Sequence, residues 1–384
     1  MSVFDLMAEM GHEQVVLCND PAAGYRGIIA IHNTVLGPAV GGTRFWHYAS
    51  EDEAVVDALR LSRAMTYKAA AAGLEMGGGK AVIIRDGGTP DRQTIFRAHG
   101  RFIDKLAGRY FTGEDVGTTI EDLDYINRET KYVISLPSGA GDPAPWTGLG
   151  IFRGIQASAR YRWGSDDLSG RTVAIQGCGH VGYSLAKELH GAGARLIVAD
   201  IDPTRAKQLA DEFEATPLEA EAIYGVQAEI FAPCALGGII NDHTIPQLKV
   251  EIVAGGANNQ LLEDRHGDAL KDRGILYAPD YVMNAGGLIS AGIDLFGWDQ
   301  KQTRDRVLGI YDTLLTIFDA AESEGIPTSR AADRLAERRI QAAQSPGSGI
   351  DFSLSAPISV EHLCYYLFVS RSRSQDRSDY GRVS

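Results

Sequence analysis

The sequence predicts an α/β protein of two domains, and three observations lead there. At 384 residues the chain can bury two cores of ordinary size. A composition of 44% hydrophobic and 23% charged residues is that of a globular protein, far from a disordered or membrane-embedded one. Beyond SGAGDPAPWTG (138–148), dense in glycine and proline and read as a linker, helix and strand patterns alternate with short connections, which implies a parallel sheet covered by helices.

In chain order, EQVVLC (13–18) and YRGIIAIHN (25–33) are short runs rich in Val and Ile and predict strands. From about Glu51, Val55, Ala58, Leu59, Ser62 and Met65 recur at helical spacing on one face. KAVII (80–84) predicts a third strand, closed by the turn signal DGG. Thr89 as N-cap with Pro90 behind it predicts a helix to about Leu106. Residues 299–344 predict long amphipathic helices, and the tail SRSRSQDRSDYGRVS is too polar to pack a core and reads as disordered.

Charge narrows the function. A formal net charge of −13 repels phosphates, which argues against nucleic acid or an anionic membrane and leaves small molecules and proteins as partners. The start, MSVFDLMAEMGHEQ, lacks a basic leader and does not read as a signal peptide, and no run of about 18 apolar residues could span a bilayer. Cys18, Cys178, Cys234 and Cys364 are scattered without a C-x-x-C pair, which suits a reducing cytoplasm and offers no metal site.

The most specific motif lies in RTVAIQGCGHVGYSLAKELHGAGARLIVADID (171–202). Gly177, Gly179 and Gly182 form G-x-G-x-x-G between a strand pattern and a helix pattern, and Asp200 ends the next strand roughly 20 residues on. Gly177 permits a tight turn, Gly179 admits a pyrophosphate to the backbone, and Gly182 lets helix and strand approach. Asp200 would accept from the ribose hydroxyls and repel a 2′-phosphate, so the expected cofactor is NAD; Asp202 is the alternative acid. Cys178 and His180 within the loop read as spacers rather than catalysts.

The chemistry of the first half centres on two lysines. In AAAGLEMGGGKAVIIRDGG (70–88), three glycines precede Lys80, but Leu74 and Ala81 stand where a phosphate loop needs Gly and Ser or Thr. Lys68 precedes a run of alanines. Lysines among small residues are either element ends in solvent or a converging pair. If they converge, desolvation and mutual repulsion lower their pKa values towards the working range of a general base.

The surrounding segments carry a resemblance. LGPAVGGTRFW (36–46), MTYKAAAAGLEMGGGKAVI (65–83), TGEDVGTT (112–119), IFAPCALGG (230–238), AGGANNQL (254–261) and APDYVMNAGGL (278–288) resemble the glutamate, leucine, valine and phenylalanine dehydrogenase family, over about residues 12–343, and most the leucine and phenylalanine branch. The resemblance implies an N-terminal substrate and oligomerisation domain (1–146 plus about 331–384), an NAD-binding Rossmann domain (147–330), a cleft between them and a homo-oligomer. It implies that Lys68, with the Gly41–Gly42 backbone and Met65, holds the substrate carboxylate. Lys80 would be the base and Asp115 its proton-transfer partner. Asn258 would bridge substrate and nicotinamide, and Asn284, His180, Val181 and Ala232 would adjoin the cofactor.

The same resemblance bears on the substrate. In glutamate members a lysine precedes the Gly-Gly pair and binds the side-chain carboxylate; here that position is Val40, so an apolar side chain is expected. Val40, Gly113 and Ala291 match pocket positions and are small, which could admit a ring, while Ile134 takes some of the space back. Leucine and other branched-chain substrates stand slightly ahead of phenylalanine or tryptophan. The competing classes are an NAD-linked oxidoreductase of another substrate, such as a 2-hydroxy acid, which would want a His or Arg as carbonyl acid, and a non-catalytic NAD-binding protein.

Overall fold

A computed structural model describes residues 2–85 and 91–344. A short helix, α1 (Val3–Met10), precedes the first sheet. That sheet comprises β1 (Gln14–Asp20), β2 (Tyr25–Asn33), β3 (Ala39–Val40), β4 (Thr43–Trp46), β5 (Gly77–Ile84) and β6 (Tyr110–Phe111), in the order β1-β2-β5-β3-β6 with β4 also on β5. The pairs β1–β2 and β2–β5 are antiparallel, and the rest are parallel.

Alternation along these strands makes two faces. Ile28, Ala30 and Val82 bury against Ala54, Val55, Ala58 and Leu59 of α2 (Glu51–Ala71). Ile29, Ile31, Ala81 and Ile83 bury against α3 (Arg92–Asp104) and α4 (Ile120–Asn127) through Phe96, Ile103 and Leu123. Strand β5 begins at Gly77, not at Lys80, so the glycines belong to the strand. Thr89 and Pro90 lie outside the described residues; α3 opens at Arg92, capped by the Asp91 carboxylate on the Thr94 N–H, and ends at Asp104 rather than Leu106.

The linker expected at 138–148 is shorter. Helix α5 (Ala144–Trp163) starts inside it, so a cut between residues 146 and 147 falls within a helix. Asp294 holds the preceding loop, accepting from the Ser135 N–H at 2.8 Å and the Ala140 N–H at 3.0 Å.

The second sheet is wholly parallel, in the order β12-β11-β10-β7-β8-β9. Its strands are β7 (Thr172–Gln176), β8 (Arg195–Ala199), β9 (Thr216–Leu218), β10 (Ile230–Pro233), β11 (Ile252–Val253) and β12 (Leu276–Tyr277). The order reverses between β7 and β10, which is where an open parallel sheet presents a crevice to a ligand. Helix α6 (His180–Gly191) leaves the end of β7 at that point.

Residues 1–342 cluster as one compact unit, because one apolar cluster joins Val40, Ala69 and Leu74 to Ile151, Ala285 and Ala336 across the two domains. The C-terminal helix Thr328–Gln344 bridges the halves. Its Thr328 hydroxyl donates to the Tyr277 carbonyl at 2.6 Å, while Arg339 donates to the Ala70 and Ala71 carbonyls at the end of α2, at 2.8 and 2.6 Å. The polar tail lies outside the described residues. Among the described residues no helix is long and apolar enough to cross a membrane, and no group of His, Cys, Asp and Glu could hold a metal.

Candidate active site

Strands β3 and β4 pair with β5 in one unbroken register, so Gly41 and Gly42 between them lie alongside Gly79 and Lys80. The two glycine runs touch: a Cβ at Gly41 would fall 1.9 Å from the Gly79 carbonyl oxygen. On β5, Gly78 and Lys80 share the face that α2 covers. A Cβ at Gly78 would sit 2.1 Å from the Thr66 nitrogen and 2.5 Å from the Ser62 carbonyl, so α2 rests on bare strand backbone. Lys68, two residues past Thr66 in the last turn of α2, is thereby brought to Lys80. Gly77 and Gly79 are filled likewise, by the Asn33 carbonyl oxygen at 2.1 Å and the Tyr110 ring at 2.7 Å from a would-be Cβ. The glycines before Lys80 are therefore not an open approach to the amine; they set the spacing of the elements that carry both lysines.

Asp115 enters from the loop after β6. A Cβ at Gly42 would fall 2.3 Å from the Glu114 carbonyl oxygen and 3.0 Å from the Asp115 Cβ, so only glycine lets this loop close on β4. The Asp115 N–H donates to Thr118 Oγ1 at 2.9 Å, and Thr118 donates to the Thr43 carbonyl at 3.1 Å. Lys80 Nζ then lies 2.9 Å from Asp115 Oδ1, and Lys80 is 5% exposed. The other oxygen, Oδ2, accepts from Arg44 Nε at 2.8 Å, and Arg44 Nη1 reaches Asp57 Oδ2 at 2.9 Å.

Burial lowers the pKa of Lys80; Asp115 opposes it and Arg44 reinforces it. Burial also lowers Lys68, to about 8, with Lys80 pushing the same way and Asp280 and Asp115 against. Among the described residues Lys68 makes no ion pair within contact distance, which leaves its ammonium free for an anion. Burial pushes the Asp115 carboxyl up, but Lys80 and Arg44 outweigh it and hold it below its ordinary range. Asp280 sits behind Lys68, raised by burial, with Oδ2 and Oδ1 accepting from the Gln260 and Tyr281 N–H groups at 2.8 and 2.6 Å. Sequence reading missed Arg44 and Asp280. Arg44 stood in the quoted GGTR segment, but only its contact with Asp115 gives it meaning.

Of the remaining expected residues, Val40, Ile134 and Ala291 lie in one buried apolar cluster, and a Cβ at Gly113 would meet Ile134 Cγ1 at 3.0 Å. Met65 Cγ lies 3.3 Å from the Cβ position of Gly41. The Gly41 N–H donates to the Phe111 carbonyl at 3.1 Å, which leaves Gly42 as the backbone donor of that pair. Across the cleft, Asn284 Nδ2 donates to Asn258 Oδ1 at 2.7 Å and to the Gly256 carbonyl at 3.1 Å, while its own Oδ1 is buried without a partner.

The second half fits a dinucleotide. Gly177 has φ +96°, and a Cβ at Gly182 would fall 1.9 Å from the Gly177 carbonyl oxygen, so the turn between β7 and α6 is as tight as glycine allows. Gly179 faces open space, and no side chain caps α6, which leaves its first N–H groups for a diphosphate. Asp200 accepts from the Cys178 and Asp202 N–H groups at 2.6 and 2.8 Å; each oxygen keeps a lone pair for a ribose hydroxyl. Asp202, the alternative acid, caps the next helix through the Thr204 N–H at 2.9 Å. His180 opens α6 and faces Glu114 of the lysine domain; Val181 Cγ1 lies 3.1 Å from the Cβ position of Gly256. Ala232 is fully buried in β10, backbone included, within the apolar core.

A dinucleotide crevice facing a buried lysine, a paired carboxylate and a second unpaired lysine defines an NAD-linked dehydrogenase. Comparison with known proteins carries this further. The model of the Glu/Leu/Phe/Val dehydrogenase dimerisation domain matches residues 12–132, and that of glutamate/leucine/phenylalanine/valine dehydrogenase matches 201–346. The chain is 52% identical to leucine dehydrogenase of Thermoactinomyces intermedius over 89% of this chain and 94% of the relative. It is 47% identical to phenylalanine dehydrogenase of Caldalkalibacillus thermarum, over 88% and 93%. The crystal structure of L-tryptophan dehydrogenase from Nostoc punctiforme superposes with a TM-score of 0.80 at 49% identity, covering 89% of this chain and 99% of that one. The chain belongs to the Glu/Leu/Phe/Val dehydrogenase family, and is an NAD-dependent amino-acid dehydrogenase of its two-domain fold.

Proposed function

We propose that this enzyme catalyses the reversible oxidative deamination of a hydrophobic L-amino acid, with leucine and other branched-chain substrates preferred. The observation that carries the chemistry is the buried Lys80–Asp115 pair beside Lys68, which makes no ion pair among the described residues. NAD, held at the turn through Gly177 and Gly182 and by Asp200, would supply the acceptor for the substrate's Cα hydride. The Lys68 ammonium and the Gly42 N–H hold the substrate carboxylate, and with Asn258 across the cleft they fix the orientation of Cα. Neutral Lys80 takes a proton from the water whose oxygen adds to Cα. It returns that proton to the nitrogen as the C–N bond breaks, and takes up the hydroxyl proton as the carbonyl forms, so that ammonia and a 2-oxo acid leave.

Ile134 supports the branched-chain preference. Gly113 offers no side chain to the pocket, but Ile134 occupies that space, within 3.0 Å of where a Cβ would be. Val40 and Ala291 belong to the same apolar cluster and themselves offer no charge to a side-chain carboxylate. The likeness to tryptophan and phenylalanine dehydrogenases supports the second reading, an aromatic substrate. A homo-oligomer in the cytoplasm completes the proposal; the match to a dimerisation domain over residues 12–132 supports the oligomer, and light scattering behind size exclusion measures it.

Incubation with NAD and each L-amino acid in turn, following NADH absorbance, tests the reading. Leucine, valine and isoleucine should lead, and no turnover with any amino acid refutes it. Lys80→Ala should abolish turnover while NAD still binds; an active Lys80→Ala enzyme places the base elsewhere.

A further inference from the structure

The carboxylate expected to be the proton-transfer partner of Lys80 is gripped from both sides. Asp115 shares its two oxygens between two cations, Oδ1 with Lys80 at 2.9 Å and Oδ2 with Arg44 at 2.8 Å. Arg44 is anchored in turn: Nη1 meets Asp57 Oδ2 at 2.9 Å, and the Tyr48 hydroxyl donates to the same Asp57 oxygen at 2.7 Å. These supports come from different elements, Arg44 from β4, Asp57 from α2 and Tyr48 from the loop after β4. The Arg44 and Asp115 side chains are 22% and 21% exposed, so solvent screens this contact only in part.

We infer that Arg44 is a positioning residue that holds Asp115 as an anion turned towards Lys80 and so sets how readily Lys80 gives up its proton. The inference rests on the reading of Lys80 as the base. A guanidinium stays charged throughout the pH range of catalysis, and a carboxylate bound to it through one oxygen resists protonation. When Lys80 loses its proton, Arg44 still neutralises Asp115, so a lone buried anion is never left behind. Arg44 also repels the protonated form of Lys80, which favours the neutral amine. The other groups that bear on this triad are Lys68 and Asp57 from α2, Tyr110 from β6, Glu114 beside Asp115, and Asp280 behind Lys68; none of them reaches the Asp115 oxygens within a salt-bridge distance.

The test is the pH dependence of kcat/KM in Arg44→Gln and Arg44→Lys. In Arg44→Gln the amide can still bond Asp115, but the charge is gone. Asp115 then pairs with Lys80 alone, and the acid limb, where Lys80 must be neutral, should move up by about one pH unit, with roughly tenfold lower kcat/KM at neutral pH. Arg44→Lys should recover at least half of that displacement. Should Arg44→Gln fail to fold, Arg44→Lys with the acid limb titrated at low and high salt substitutes for it, because weakening the single remaining ion pair makes the limb more salt-dependent than in the wild type. A folded Arg44→Gln enzyme with the wild-type limb, or an Arg44→Lys limb with wild-type salt dependence, overturns the inference. If Lys80→Ala is inactive and the Arg44 profiles are unmoved, this inference fails while the reading of Lys80 stands; an active Lys80→Ala enzyme removes both.

Discussion

Gly78→Ala places one methyl group between strand β5 and helix α2. Its Cβ would start 2.1 Å from the Thr66 nitrogen and 2.2 Å from the Thr66 hydroxyl, whereas ordinary contact begins near 3.4 Å. The helix must retreat by about 1.3 Å at Thr66, since backbone cannot rotate away as a side chain can. Overpacking of this kind costs about 3 kcal/mol, which lowers Tm by roughly 4 °C for a unit of this size. The more telling consequence is local, because Lys68 follows Thr66 on the retreating turn while Lys80 stays on the strand. A misplacement of about 1 Å in a catalytic constellation can cost 100-fold. The assay is kcat and KM for L-leucine well below the mutant's Tm, with NAD affinity from NADH fluorescence as the control for an intact second domain. We expect kcat/KM to fall by about two orders of magnitude and NAD affinity to hold within about twofold. A folded Gly78→Ala enzyme with near wild-type kcat/KM refutes the argument that this glycine sets the lysine geometry.

Ile134→Ala removes three carbons from the pocket wall, about 2 kcal/mol of contact for a branched substrate, so the ratio of kcat/KM for phenylalanine over leucine should rise about 30-fold. Gly113→Ala, which crowds Ile134, should move that ratio the other way; displacement of both in one direction rules out the pocket assignment. Asp200→Ala removes the acceptor at the end of β8 and should narrow the preference for NAD over NADP, as competing titrations of the two cofactors will show. His12 and His32 are buried against α2, with burial lowering both from 6.5 to about 4. Both rings are neutral in the fold and protonate first in the unfolded chain. Stability is therefore full above about pH 6.5 and declines as pH falls from there towards 4, by up to about 3 kcal/mol for each ring. Thermal melts between pH 7 and 4.5 measure it, and a flat Tm over that range contradicts the burial of the neutral rings.

Much of this enzyme was legible in local pattern. YRGIIAIHN reads as a strand because alternation and β-branching are short-range properties, and β2 runs over those same residues. The turn at Gly177 and Gly182 and the acid at the end of the next strand are likewise spaced by the chain itself, so cofactor class follows from sequence. Ala39–Val40 and Tyr110–Phe111 are strands of two residues, too short to show a period; they exist because β5 and β3 offer them partners. The residues GGGK show the division most plainly. From sequence, the glycines before Lys80 could only be set apart from a phosphate loop. Folded, they are filled by the Asn33 carbonyl, the Thr66 backbone and the Tyr110 ring, all distant in the chain. What the sequence by itself determined was the chemical inventory, two lysines among small residues and a dinucleotide turn, because side-chain identity and local spacing need no partner. Only the tertiary structure decided that Asp115 is divided between Lys80 and Arg44, that Asp280 backs Lys68 and that Ile134 fills the space at Gly113, because each depends on how closely separate elements approach.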